Sequence, residues 1–345
     1  MGSSRRQKAL SKSIQLALFR DPATFRKTLI GRILAFFSIF YIKLFRYGSH
    51  LFRKLRSETW EIDENEYKAS FRDEKKTVPL KPMGDLGMSG STFFQTSNGK
   101  FLVKSLPRHF EHSFFREDLL EPYYEYMSAH RNSLLVWITD YVYAPYQTVG
   151  SLIGSTPAHH IIMDNILYGK TEDPNADQWE KYDLKPIDYF YPERDLVPEP
   201  LVSEDTLRKL ADQFDDKIRL SQEQYESLKQ VLKADTDFLR SSNAVDYSLF
   251  LIRFPASSQP EVVGRHAPWR IGVESADGKW KYRAVLLDFF WARHKLHAQA
   301  MTGMTNGRPG TGFSIDNLSI TGICEAETIY VICQFAQRSH LSLLP

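Results

Sequence analysis

The spacing of hydrophobic residues along this chain changes several times, and each change marks an expected element. From residue 28 to 56 they recur at helical spacing (Leu29, Ile33, Phe36, Phe40, Leu44, Tyr47, Leu51, Leu55), while Arg32, Lys43, Arg46, His50 and Arg53 cluster on another face. This predicts a basic amphipathic helix. Its unbroken apolar run, residues 33–42, is well short of the roughly 20 residues that a bilayer crossing needs. That length disfavours a true span, which leaves two outcomes that can coexist: a helix packed on the protein body or in a homodimer interface, or one lying in the interface of an anionic membrane. Next, Thr92-Phe93-Phe94 and Phe101-Leu102-Val103 flank the turn Ser97-Asn98-Gly99, which predicts a hairpin within residues 84–106. Helical spacing returns over residues 110–127, with the acids Glu111, Glu117, Asp118 and Glu121. Strands expected at 133–138, 141–143 and 160–163 complete a β-rich lobe, and Met163-Asp164-Asn165 is where the chain would cross to a second lobe.

That second lobe begins with residues 170–204, rich in Pro, Asp and Tyr and expected to be irregular apart from 181–185. Ser221-x-x-Gln224 is a capping-box start for a helix reaching about Arg240, with Tyr225, Leu228, Leu232 and Leu239 inward. Two apolar, strand-like runs follow, each holding a lone aspartate: Asp246 within 244–251, and Asp288 at the end of a hairpin, 271–288, that turns at Asp277-Gly278. If the strands pair, the two carboxylates share a neighbourhood. Residues 291–317, with Gly303, Gly307, Gly310 and Gly312, are expected to be mobile. Residues 326–337 read as a final helix, and Cys324 and Cys333, nine apart, suit core packing.

Composition changes this picture in one respect. With 345 residues, 42% apolar and 13% aromatic, the chain can fill a sizeable core in two lobes. Its net charge of +2 hides an asymmetry: residues 1–57 hold 13 Lys/Arg against Asp21 alone, +12 in all, leaving −10 for the rest. The expected organisation is therefore a basic, membrane-facing segment over 1–57, an N-terminal lobe over 58–165, and a C-terminal lobe over 166–345. Two cysteines and no secretory leader point to a reducing, cytoplasmic setting. Basic residues interleaved with long apolar runs, and no groove-reading motif, argue against a nucleic-acid partner.

The chemistry sits in a glycine-rich turn, Gly87-Met88-Ser89-Gly90-Ser91, the strand lysine Lys104, and the two aspartates. A charge at the end of an apolar strand is destabilising unless it is paired or binds a metal. A phosphate cradle, a cationic clamp and two carboxylates make a kinase-like arrangement. His159-His160 and His294-x-x-His297 lack further ligands at metal-site spacing.

In this order the motifs resemble the phosphatidylinositol phosphate kinase family over about residues 45–337. Gly87-x-Ser89-Gly90-Ser91 is similar to the family's glycine loop and Phe101-Leu102-Val103-Lys104 to its ATP-lysine strand. Leu119-Leu120 with Tyr123-Tyr124 and Tyr126 is similar to its next helix. Tyr182-Asp183-Leu184-Lys185 resembles the start of D-L-K-G-S, Val245-Asp246-Tyr247-Ser248-Leu249 the M-D-Y-S-L strand, and Leu286-Leu287-Asp288 the I-I-D metal strand. The approach Phe52-Arg53-Lys54-Leu55-Arg56, then Ile62-Asp63 and Tyr67, is also similar. Two departures stand out: Pro186-Ile187 replaces Gly-Ser, and the activation loop (about 290–317) reads Ala292-Arg293-His294-Lys295-Leu296-His297-Ala298 and is short.

The resemblance implies a two-lobed, kinase-like α+β fold of the SAICAR synthase-like type, with antiparallel sheets and flanking helices. It implies ATP and Mg²⁺ as cofactors, and as substrate a phosphatidylinositol monophosphate in an anionic membrane. By the same resemblance Gly87, Ser89, Gly90 and Ser91 would approach the phosphates, and Lys104 would hold them, oriented by Glu111 or, second, Glu117. Met163 and Asn165 would lie at the adenine, Lys185 near the transferred phosphate, and Asp288 on Mg²⁺. Asp246 would align and deprotonate the inositol hydroxyl, and Arg293 and Lys295 would meet the lipid. Two other outcomes are a catalytically weak phosphoinositide-binding scaffold and a kinase of a soluble small molecule.

Overall fold

The computed structural model describes residues 5–20, 36–73, 76–77, 79–83, 91–153, 156–184, 218–245, 247–292, 318–325 and 328–335. The chain divides into two compact units of α+β architecture: residues 1–131, 136–171 and 260–267 form the first, and residues 132–135, 172–259 and 268–345 the second.

The first unit contains β1 (Phe45–Arg46), β2 (Arg72–Asp73), β3 (Lys76–Thr77), β4 (Lys81–Met83), β5 (Phe93–Gln95), β6 (Phe101–Ser105), β7 (Ile138–Tyr143) and β8 (His159–Asp164). Six of them make an antiparallel sheet in the order β1-β7-β8-β6-β5-β4. The predicted hairpin is β5–β6, with Gly99 at φ +75 in its turn. Directly paired residues share a face of a sheet, so Phe93, Lys104, Ile161 and Tyr141 lie in one row. The helix of residues 109–129 covers that face: Phe115 meets Tyr141 at 5.5 Å between ring centroids, and His112 stacks on His159 at 3.6 Å. Its second segment, Phe115–Leu119, is π-helical, just ahead of Pro122. Proline has no N–H and crowds the carbonyl four residues back, and a wider turn relieves that crowding.

The expected helix over residues 28–56 is corrected. Residues 21–35 lie outside the described ones; beyond them the chain bends, pairs as β1 with Val142 and Tyr143, and turns at Gly48. Gly48 has φ +59, a left-handed conformation that a glycine adopts freely and that stops a helix. A helix resumes only at Ser49–Lys54, continuing through Leu55–Thr59. Arg46 also does not sit on an outward basic face: it pairs at 2.8 Å with Asp140, which is fully buried and also receives Arg56 at 3.2 Å. A helix that the periodicity did not predict, Arg5–Leu18, buries Leu10, Ile14, Ala17 and Leu18. The Leu80 N–H donates to its Ser11 hydroxyl, and its Gln15 amide donates to the Phe71 carbonyl.

The second unit contains β9 (Glu180–Leu184), β10 (Ile218–Leu220), β11 (Ala244–Val245), β12 (Ser248–Pro255), β13 (Val273–Glu274), β14 (Trp280–Leu287), β15 (Trp291–Ala292), β16 (Leu318–Glu325) and β17 (Thr328–Phe335). Its main antiparallel sheet has the order β13-β14-β12-β9. The hairpin turn at Asp277-Gly278 forms as predicted, with Gly278 at φ +67, but the strand before it starts only at Val273, after a helical turn at Pro268–Ile271. The capping box forms too: Gln224 N–H donates to Ser221 Oγ, and Ser221 N–H donates to Gln224 Oε1. It opens the helix Gln222–Ser241, which buries Tyr225, Leu228, Leu232 and Leu239 as expected.

Two other expectations fail. The final helix is instead strand: β16 and β17 form a hairpin, and β17 also pairs with β10. Thr328, Ile329, Val331 and Ile332 are β-branched, and such residues favour a pleated surface over a helix. Of the predicted 133–138 and 141–143 strands, the second absorbs the end of the first into β7, while Leu135 bridges instead to Leu286.

His160 gives this fold a pH dependence. It is fully buried opposite Ser105, and neither ring nitrogen has a hydrogen-bond partner. Burial lowers its pKa to about 3; burial and the neighbouring His112 lower that of His159 to about 3 as well, where Nδ1 and the Tyr141 hydroxyl share a hydrogen bond of 2.6 Å. Both rings therefore stay neutral in the folded state but take up protons in the unfolded chain once the pH drops below about 6.5. Stability is full above that pH and falls as the pH drops toward 3, by up to about 1.4 kcal/mol per pH unit per ring. Urea unfolding between pH 7 and 5 is expected to show this loss, and His160→Leu to remove about half of it. An unchanged pH slope in the variant contradicts the assignment.

Candidate active site

In the first unit the site is built around Lys104. It lies inside β6, only 5% exposed, with its ammonium 5.6 Å from the centroid of the Phe93 ring. A cation in such a place is held by the electron-rich ring face and by what it binds. It lies on the face that the helix of residues 109–129 covers, and that helix begins with the two predicted acids. Glu111 is 4% exposed in the first turn, where Oε2 accepts the Arg108 N–H and Oε1 faces the Arg108 guanidinium at 3.4 Å. Glu117 has a side chain 51% exposed and pairs with Arg116. Burial thus separates the two candidates, with Glu111 inside and Glu117 at the surface.

Gly87, Ser89 and Gly90 lie outside the described residues. Ser91, which follows them, is buried, and the Thr92 N–H donates to Ser105 Oγ at 2.7 Å while the Ser105 N–H donates back to Thr92 O. Thr92 is thereby joined to the residue that follows Lys104 on β6. Met163, on β8, falls in the same face parity as Ile161 and is buried. Asn165 is engaged in holding its own loop: its amide donates to Gly99 O, its Oδ1 accepts Leu167 N–H, and its backbone N–H reaches Lys100 O. Asp164 accepts the Trp137 N–H at 3.0 Å, which joins the end of β8 to the chain just ahead of β7.

In the second unit the register brings three strands abreast. Leu184 of β9, Leu249 of β12 and Leu286 of β14 are successive partners. Lys185 follows the first and Asp246 precedes β12; both lie outside the described residues, as do Arg293 and Lys295. Asp246 falls in sequence between Val245, paired with Trp291, and Ser248, paired with Leu287. Asp288 follows β14 directly, half-buried and at φ +67, a conformation rare for a residue other than glycine. Phe289 and Phe290 are buried and stacked at 5.2 Å, and the Phe290 N–H donates to Asp288 O. Anchoring two rings in the core forces the chain to reverse at the aspartate. Such strain costs on the order of 1–3 kcal/mol and collects at functional positions.

Sequence reasoning missed Asp235. It is fully buried on the helix Gln222–Ser241, where it accepts the Ser133 hydroxyl and the Leu134 N–H, both at 2.7 Å. Leu134 O in turn accepts the Leu286 N–H at 2.7 Å, and the Arg270 guanidinium donates to Leu135 O. Residues 133–135 are thereby stitched to β14 two residues before Asp288. The signal was legible: Asp235 stands on the inward face between Leu232 and Leu239, where an unpartnered carboxylate is not tolerated. Replacing it by alanine strands a buried hydroxyl and a buried N–H, so Asp235→Ala is expected to cost on the order of 3 kcal/mol in urea unfolding. A loss under about 0.5 kcal/mol, typical of surface sites, contradicts this role.

Asp288 offers an oxygen donor of the kind Mg²⁺ prefers; that ion commonly takes one or two carboxylates and fills its remaining positions with substrate phosphates and water. Among the described residues no group of three or more His, Cys, Asp or Glu could hold a metal.

A family model described as phosphatidylinositol-4-phosphate 5-kinase matches residues 75–282. That segment includes Lys104, Glu111 and Asp235 and stops short of Asp288. A phosphatidylinositol 4-phosphate 5-kinase of Plasmodium falciparum is 28% identical over 215 residues, 59% of this chain and 12% of that protein. Phosphatidylinositol 4-phosphate 5-kinase 1 of Arabidopsis thaliana is 24% identical over 216 residues, 62% of this chain and 26% of that protein. The chain spans about an eighth and a quarter of the lengths of these two relatives.

Proposed function

The chain belongs to the phosphatidylinositol-4-phosphate 5-kinase family, as a divergent member, and on that premise we propose that it transfers the γ-phosphoryl group of ATP to an inositol hydroxyl of a phosphatidylinositol monophosphate. The reaction takes place at the cytoplasmic surface of an anionic membrane, and the fold is of the SAICAR synthase-like kinase type. One observation carries the reading: within the family-matched segment, Lys104 is buried on a sheet face beneath a helix whose first turn holds a buried acid.

Phosphoryl transfer requires charge neutralisation and alignment more than covalent participation by the protein. Lys104 holds the α- and β-phosphates, and residues 87–91 let the backbone approach them closely, since glycine has no Cβ to obstruct it. Met163 packs against adenine. Asp246 accepts the inositol hydroxyl proton as that oxygen bonds to the γ-phosphorus, ADP departs, and Lys185 steadies the transferred group. Asp288 is the residue that would hold Mg²⁺, which when bound offsets the charge of the phosphates.

Incubating the full chain with labelled ATP, Mg²⁺ and each monophosphoinositide in vesicles is expected to put label into lipid. Asp288→Asn is expected to reduce this by about a hundredfold or more. Label that enters no lipid, or that enters equally with the variant, contradicts the reading.

A further inference from the structure

Exposed large apolar side chains are concentrated on one part of the first unit. Phe36, Phe37, Ile39, Phe40 and Tyr41 are between 40% and 66% exposed, and Tyr146, Leu152 and Ile153 are at 37%, 57% and 65%. Together they make up eight of the nine such residues among the described ones, all in two short segments, 36–41 and 146–153. The two segments are more than a hundred residues apart in sequence, yet they are bonded. The Gly150 N–H donates to Ser38 O at 3.1 Å, and the Thr156 hydroxyl donates to Ile39 O at 2.7 Å. Gly150 approaches so closely that a Cβ there would lie 2.0 Å from Ile39 O. The Tyr41 N–H is further held by Ser38 Oγ. This is a fixed apolar surface, and contiguous apolar patches on a protein surface mark binding sites.

Charge selects the occupant. Residues 22–57 contain eight Lys/Arg and no Asp or Glu, and residues 141–163 contain none of the four. Lys43 and Arg20 lie over the Phe45 ring, at 5.2 and 5.1 Å from its centroid. Arg46 and Arg56 are engaged with Asp140 and Glu64, whereas Arg53 and Lys54 are exposed, and a two-fold interface with a second copy would bring the net positive charge of this segment against itself. An anionic bilayer instead takes aromatic and aliphatic side chains at its headgroup boundary and cations around them. No helix among the described residues is long and apolar enough to cross a membrane.

We propose that residues 36–41 and 152–153 form one apolar wedge that inserts into the headgroup boundary of an anionic leaflet. The wedge rests on the reading of a membrane-held substrate and identifies the surface that meets it.

The test is co-sedimentation of the full chain with vesicles containing about 30% phosphatidylserine, at roughly 0.15 M and then about 0.5 M salt. Phe37→Ser/Ile153→Ser is compared with wild type and with Ile271→Ser, an exposed isoleucine of the other unit. The double variant is expected to lose about tenfold or more in partition while Ile271→Ser matches wild type, and part of the wild-type binding is expected to survive the higher salt. Equal partition of the double variant and wild type overturns the wedge. So does a lipid-free wild-type dimer that the double variant dissolves, because the patch is then an interface between copies. Phosphoryl transfer by the wild type to a short-chain, monomeric phosphoinositide is measured in parallel. Its absence counts against the proposed function alone, so the two failures are distinguishable.

Discussion

The hydrogen-bonded register of β9, β12 and β14 is the constraint on which the chemistry proposed for the second unit depends. It sets Leu184, Leu249 and Leu286 side by side, and so fixes where the chain stands immediately before Lys185, after Asp246 and before Asp288. A slip of one residue would reverse the facing of every side chain on the moved strand. The register is secured from outside the sheet as well, because Leu134 O accepts the Leu286 N–H while Asp235 holds the Leu134 N–H. A buried carboxylate, a crossing segment and a strand end form one chain of hydrogen bonds that terminates two residues from the proposed metal ligand.

Charges inside this protein serve two purposes that their surroundings separate. Asp140 is fully buried but satisfied: Arg46, Arg56 and the Tyr67 hydroxyl converge on it, so it ties β7 to β1 and to the helices that follow. Asp288 stands half-buried at a left-handed turn between a core strand and two anchored phenylalanines. The first arrangement uses charge to join elements. The second sets a carboxylate at a left-handed turn, and backbone strain of that kind collects at functional positions.

Local signals were legible in the sequence where one residue type decides the backbone. The Asn98-Gly99 and Asp277-Gly278 turns and the Ser221 capping box formed as read, and the inward leucines of the helix Gln222–Ser241 are buried. Periodicity misled where a short apolar run fits either period. Residues 28–56 keep a helical pattern across Gly48, whose left-handed φ breaks it, and the spacing within β17 also fits a helix, since its pairing with β10 lies more than a hundred residues away. Lys104 and Asp288 could be singled out because a charge in an apolar strand is conspicuous. Asp235 is marked in the same way by its place on the inward helix face, but its partners, Ser133 and Leu134, are remote in sequence and only the fold brings them to it.

The central claim is that Asp288 carries the metal that accompanies the nucleotide. Electron paramagnetic resonance of Mn²⁺ titrated into the full chain with ATP reads this directly, with Mn²⁺ standing in for Mg²⁺. The account predicts that Asp288→Asn weakens nucleotide-dependent Mn²⁺ binding by about tenfold or more, while Glu117→Gln leaves it unchanged. Equal Mn²⁺ binding by wild type and Asp288→Asn would contradict it.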